Sequence, residues 1–306
     1  MTTLKPNNKV IVVGSSNTDM VCRSVRLPQP GETILGGSFD IIQGGKGANQ
    51  AVAAARAGAE VIFAAKVGDD DFGRNAIQGY RKDRIDTGFL QQSESHPTGV
   101  AVILVDENTG QNSIVVASGA NAQLTPEDIE NAAAAIAGAA VLLVQLETPL
   151  PSVQRALEIA RSAGVTTILN PAPAAVLNDD LLSLVDIITP NESETAHLIG
   201  LEPRTKTDIR KAAALLLKKV RQAVIITLGG KGVYFVSHSG EHGFLPASKV
   251  KAVDTTAAGD VFNGYLAAAL AKEISLQEGI QWAIRAATLS VTRKGAQPSI
   301  PFAHEL

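Results

Sequence analysis

VDTTAAGDVFNGYLAAAL, residues 253 to 270, is the stretch from which the rest of the chain can be read. A loop of small and polar residues, Asp254 to Gly259, runs into an apolar segment with helical spacing that lasts to Leu270. The pattern predicts a helix starting near Ala258 or Gly259, because the residues before it carry too little side chain to cover the backbone N–H groups. Bare amides at a helix start, with its partial positive charge, make an anion site. Asp260 stands in the first turn, where its carboxylate would repel a phosphate bound for its own sake. Either Asp260 caps its helix, the commoner role of a first-turn acid, or it takes a proton while the amides hold charge that develops during a reaction. For an isolated Gly-Asp pair capping is the more frequent outcome. The remainder of the chain reverses that balance.

DTTAAGDVFNG, residues 254 to 264, resembles the C-terminal signature of the ribokinase (PfkB) family of sugar and nucleoside kinases. GGKGANQ, residues 44 to 50, is similar to the family's other signature, and the resemblance extends over essentially the whole chain. It implies a three-layer αβα sandwich with a mostly parallel central sheet and a small β-sheet lid. It also implies ATP-dependent phosphorylation of a sugar, with ribose and its 5-hydroxyl as the expected acceptor, and magnesium and potassium ions as cofactors. Carried over residue by residue, Asp260 is the general base, and the amides of Ala257, Ala258 and Gly259 form the anion hole.

Bulk properties are compatible with that picture. At 306 residues the chain suits one large α/β domain, residues 1–306, with an appendage. A formal net charge of -3 gives no broad attraction to nucleic acid or to an anionic membrane, and 4% aromatic residues offer little for base stacking. Cys22 is the single cysteine, which rules out an internal disulfide and suits a reducing compartment. The polar start MTTLKPNNK carries no signal pattern and leads directly into a strand, and no apolar run has the length of a bilayer span. The expectation is a cytoplasmic protein.

Taken in order, Val10 to Val13 read as a buried strand that turns at Gly14. Asn17 and Asp19 follow at alternate positions and share a face if the backbone stays extended. Alone they are ordinary loop formers; the resemblance makes them sugar ligands. Glu32 to Ile42 reads as strand material after a turn at Pro28 to Glu32. Gly44, Gly45 and Gly47 then strip the loop around Lys46 before Asn49 opens an alanine-rich helix. A Walker loop is excluded, since Asp40 stands where its first glycine belongs and Gly47 where Ser or Thr belongs. Tight helix packing accounts for one such glycine but not for three around a lysine; a bare loop also admits a sugar. The resemblance makes Gly45, Lys46 and Asn49 substrate contacts. The acid run Asp69 to Asp71 lacks the spacing of a calcium loop and reads as a solvated turn.

Thr98 to Asn121 reads as a hairpin with Thr109 and Gly110 near its turn, and it interrupts the βα alternation. Combined with strands from the earlier segment it predicts a lid, with strands within about 15–43 and 97–120, that excludes water from the reaction. The resemblance adds a homodimer formed through that lid. Thr125, Pro126 and Asp128 mark a capped helix start. Glu147 ends a buried strand, where open α/β sheets bind ligands, and the resemblance assigns it to the sugar.

Asn191 precedes a helix whose first turn holds Glu192 and Glu194; two acids there satisfy the helix dipole without a ligand. The resemblance places Asn191 at the nucleotide and Glu194 near magnesium. Thr227, Gly229, Gly230, Lys231 and Gly232 read as a hairpin turn and, by resemblance, as the floor of the ATP site together with Gly259. It further assigns Asp254, Thr256, Ser290, Arg293, Gly295 and Ser299 to a monovalent cation, an oxygen-rich set of the kind hard cations prefer. Three rivals stand beside this reading. One is a kinase for deoxyribose or another small sugar or nucleoside. Another is a non-catalytic sugar or nucleotide sensor. The third is a Rossmann dehydrogenase, disfavoured because no G-x-G-x-x-G follows the first strand.

Overall fold

The strand Lys9–Val13 (β1) is wholly buried from Val10 to Val13, on both of its faces. A strand of that kind belongs inside a sheet covered on both sides by helices. The computed structural model describes residues 7–109 and 111–306; the start of the chain and Gly110 of the expected turn lie outside the described residues. After β1 come Asn17–Ser24 (β2), Ser38–Gly44 (β3), Lys46–Arg56 (α1), Glu60–Gly68 (β4), Asp71–Lys82 (α2), Leu90–Ser93 (β5), Gly99–Asp106 (β6) and Asn112–Ala117 (β7). The next stretch alternates: Pro126–Asn131 (α3), Ala133–Ala137 (α4), Val141–Val144 (β8), Leu150–Ser162 (α5), Thr166–Leu169 (β9), Asp179–Leu182 (α6), Ile187–Ile188 (β10), Glu192–Ile199 (α7) and Lys206–Leu217 (α8). Ala223–Thr227 (β11), Val233–Ser237 (β12), His242–Leu245 (β13), Ala258–Ala271 (α9) and Leu276–Ser290 (α10) complete the set.

Nine strands form the main sheet in the order β13-β12-β11-β10-β9-β8-β1-β4-β5. All neighbours from β11 to β5 pair in parallel, and only the β11–β12 and β12–β13 pairings are antiparallel, so β12 alone runs against the rest. Alternate residues of β1 feed separate cores: Val10 and Val12 pack with α1, α2, α9 and α10, while Ile11 and Val13 pack with α3, α4, α5, α6 and α8. The result is the expected three-layer αβα sandwich. Strand order reverses between β1 and β8, and the crevice at such a switch point is where open α/β sheets hold ligands.

Four strands form a second sheet, β3-β2-β6-β7, which is the expected lid. Its register puts Asp19, Ile42, Ala101 and Val116 on one face and Met20, Ile41, Val102 and Val115 on the other. The strand expected from Glu32 begins only at Ser38, because Gly36 and Gly37 both take positive φ and break the extended run. Likewise the alanine-rich helix after Thr125 is two short helices, broken at Ala132. Its start is as read, with Thr125 and Asp128 forming a reciprocal capping box.

Helix α9 is buried continuously from Asp260 to Ala269 and lies against α1 and α10. At Gly264 an added Cβ would fall 2.4 Å from Ala53 Cβ and 2.6 Å from the Gln50 carbonyl. The bare position lets α1 and α9 touch backbone to backbone, which brings Asn49 and Gln50 onto the first turn of α9.

Candidate active site

Asp260 does not cap its helix. No side chain among the described residues caps α9, whose N-cap Ala257 adopts the left-handed conformation at φ 61°. The Asp260 carboxylate instead faces α1: Asn49 Nδ2 donates to Oδ2 at 3.0 Å and Gln50 Nε2 donates to Oδ1 at 2.9 Å. Burial pushes its pKa up, against the pull of Lys46 and the two amide donors, with Glu147 adding to the rise. Amide donors on both oxygens lower the cost of carrying charge in so dry a place. Immediately before it, the amides of Ala257, Gly259 and Asp260 find no acceptor among the described residues, whereas that of Ala258 makes a long 3.3 Å bond to the Thr255 carbonyl. The bare helix start is therefore real, with the Asp260 amide standing in it where the Ala258 amide was expected.

The residues assigned to the sugar surround this point. Asn17 starts β2, and its Oδ1 accepts from Asn121 Nδ2 at 2.7 Å; Asn121 also accepts the Ser16 amide at 2.8 Å. Two positions on, Asp19 is 8% exposed and its carboxylate takes no hydrogen bond from the described residues. Burial, then Glu147 and Asp260, raise its pKa to about 7, with Lys46 opposing. Lys46 is disfavoured as a cation by burial, yet Asp260, Glu147, Glu194 and Asp19 outweigh that and raise its pKa. Glu147 Oε2 accepts from Ser15 Oγ at 2.5 Å and from the Lys46 amide at 3.0 Å. The amides opening α1 are thus spent on the protein's own carboxylate and on Ser15, whose Oγ takes the Gly47 amide and whose carbonyl takes that of Ala48. Packing also accounts for all three glycines, contrary to expectation. A Cβ on Gly44 would strike the Asp19 carboxylate at 2.2 Å, one on Gly45 the Asn17 amide at 2.7 Å, and one on Gly47 the Ser15 amide at 2.5 Å.

Asn191 caps α7, and Glu194 closes the box by accepting from the Asn191 amide and Nδ2, both at 2.9 Å. Glu194 is buried, which raises its pKa against the Asn191 amide and Lys46, with Asp260 adding to the rise. Thr227 bridges to Asn191, its amide donating to the Pro190 carbonyl. At Gly229, Gly230 and Gly259 nothing lies within 4 Å of where a Cβ would be, so these backbones face open space. Gly232 differs: a Cβ there would meet the Leu245 carbonyl at 2.0 Å, so its bareness serves the hairpin. Lys231 is exposed and lies 3.6 Å from Glu192.

Asp254 joins the loop before α9 to the C-terminal loop. Its Oδ1 accepts from the Thr256 amide and hydroxyl, and its Oδ2 from the Gly295 amide at 2.9 Å. Those bonds outweigh burial and lower its pKa. Ser290 and Ser299 are wholly buried, with hydroxyls donating to the Ala287 and Ala296 carbonyls. The Arg293 side chain is turned to Glu305.

The family model for pfkB family carbohydrate kinases matches residues 7–303. The chain belongs to the PfkB family of carbohydrate kinases. Among PfkB relatives, a ribokinase of Haemophilus influenzae is 47% identical over 294 residues, 96% of this chain and 95% of the relative. A deoxyribokinase of Salmonella typhi is 38% identical, covering 95% of each chain. The solved structure of Arabidopsis thaliana ribokinase complexed with ribose and ATP superposes with a TM-score of 0.91 at 31% identity, covering 98% of this chain and 97% of that one. Against this PfkB background, Ser15, Gln50, Asn121, Asn170 and Asn263 are the site-building residues that the sequence reading passed over. Gln50 and Asn263 lie inside its two signatures, and as polar residues among alanines and leucines they needed buried partners.

Proposed function

We propose that the chain transfers the γ-phosphoryl group of Mg-ATP to the 5-hydroxyl of ribose. The observation that carries this reading is the pairing of a buried carboxylate, Asp260, with unoccupied peptide donors one turn of chain away. Asn17, Asp19, Gly45, Lys46, Asn49 and Glu147 orient the sugar. Asn49 Oδ1 is a buried acceptor with no partner among the described residues, as a hydroxyl's binding site requires. Asp260 takes the proton of the 5-hydroxyl as that oxygen bonds to the γ-phosphorus and the bond to the bridging oxygen breaks, releasing ADP. Free amides of the α9 start and the Lys46 ammonium stabilise charge on the phosphoryl oxygens, and positioning supplies much of the rest.

Gly229, Gly230 and Gly259 would admit the nucleotide, with Asn191, Thr227, Lys231 and Gly232 around it. Glu194 would hold a magnesium ion, directly or through water; each of its oxygens keeps a free lone pair beyond its bond to Asn191. Magnesium supplies neutralisation of the triphosphate. Asp254 with the neutral oxygens of Thr256, Ser290, Arg293, Gly295 and Ser299 fits a singly charged hard cation such as potassium, which would fix the shape of the loop that ends at Ala257. The lid would close over the sugar and pair with a second copy.

The test is ADP release with ribose, 2-deoxyribose and nucleosides, with and without potassium. Asp260→Asn should keep ribose binding while turnover falls by about three orders of magnitude or more. Near-normal turnover in that variant would remove Asp260 from the chemistry, and a preference for 2-deoxyribose would move the chain to the neighbouring substrate class.

A further inference from the structure

One buried hydrogen-bonded chain of side chains begins at the Asp260 carboxylate and returns to the Asp260 peptide. Gln145 Nε2 donates to Gln50 Oε1 at 2.6 Å, and Gln50 Nε2 divides its two hydrogens between Asp260 Oδ1 at 2.9 Å and Asn170 Oδ1 at 3.0 Å. Asn170 Nδ2 donates to the Thr189 carbonyl at 3.3 Å, and Thr189 Oγ1 to Asn263 Oδ1 at 2.6 Å. Asn263 Nδ2 donates to the Gly259 carbonyl at 2.8 Å, and that carbonyl shares a peptide plane with the unoccupied Asp260 amide. Gln50 and Gln145 are 0% and 1% exposed, so neither reaches a ligand in the cleft.

We propose that Gln50 is a positioning residue for the base, holding the Asp260 carboxylate in one rotation and in its ionised form. Its own orientation is forced. Turned over, its oxygen would face two acceptor oxygens, Asp260 Oδ1 and Asn170 Oδ1, and its nitrogen would face the Gln145 donor. The division of labour with its neighbour is clear from the sequence of contacts. Asn49 holds Oδ2 and keeps an Oδ1 with no partner among the described residues, whereas both hydrogens of the Gln50 amide are used inside the protein. The charged groups facing Asp260 are Lys46 on α1, Glu147 beyond β8, Glu194 on α7 and Asp19 on β2, and a change at Gln50 leaves all of them in place.

This inference rests on Asp260 as the base, so Asp260→Asn is assayed alongside. Gln50→Met keeps length and volume but has no donor. With the full chain, ribose and Mg-ATP, it should lower kcat about tenfold to a hundredfold and leave both KM values within about threefold. The acid limb of the kcat profile should move to higher pH, because a buried carboxylate that loses a donor ionises less readily. Gln145→Met, one bond further back, should act in the same direction and less strongly. An unchanged kcat and acid limb in Gln50→Met, or a raised ribose KM at intact kcat, overturns the proposal; if that variant does not fold, an unchanged Gln145→Met does so. Normal turnover in Asp260→Asn would instead overturn the base assignment itself.

Discussion

At Asp19 a buried carboxylate works against the stability of the fold. Its folded pKa of about 7 lies above the ordinary 3.8, so between about pH 4 and pH 7 the folded protein holds a proton that the unfolded chain has released. Stability from this group is therefore present at low pH, falls as pH rises through that window, and is constant above it. The loss is on the order of 4 kcal/mol. Asp19→Asn should melt higher than the parent at pH 8, with the difference vanishing near pH 4, in thermal scans without ligand. An equal effect at both pH values would show that the carboxylate is not the source. The same variant should bind ribose poorly, the usual exchange between a built site and stability. The sequence disclosed Asn17 and Asp19 through their alternate spacing. It did not disclose that Asn121 holds Asn17, since nothing local to either residue records a bond across 104 positions.

Among the elements, β1 and α9 were readable because their signals are local: four consecutive apolar residues in one, small residues followed by helical spacing in the other. What joins them was not. Asn49 and Gln50 meet Asp260 across 211 and 210 residues, and the contact depends on how closely two helices approach. The three glycines of the α1 loop show the same blindness, since bareness alone does not say whether a ligand or the chain itself fills the space. Gly264→Ala tests the helix contact. Its Cβ would overlap Ala53 and the Gln50 carbonyl, so α1 and α9 must part. Overpacking of this kind should cost about 1–3 kcal/mol in chemical denaturation, and kcat should drop more than ribose affinity because Asp260 moves away from its donors. A variant with parental stability and turnover would mean that the helix spacing does not set the geometry at Asp260.

For the whole molecule the open question is what the lid does with its second face. One face of the small sheet carries Asp19, while the opposite face shows Phe39, Ile41, Val102 and Val115 at 45–71% exposure. Apolar side chains in a continuous patch mark a surface that is covered in use, and β7 has no pairing partner beyond β6 among the described residues, which leaves a strand edge beside it. If two lids cover each other, as expected, Ile41→Asp with Val115→Asp should convert a dimer into a monomer by sedimentation at micromolar concentration. The main sheet and its two cores lie elsewhere, so the melting of the αβα body should change little. Sugar affinity should weaken, because a lid released from its partner closes over Asn17 and Asp19 less often and lets water in. A variant that remains dimeric would place the subunit contact on another surface. A monomer with unaltered ribose KM would separate lid closure from assembly.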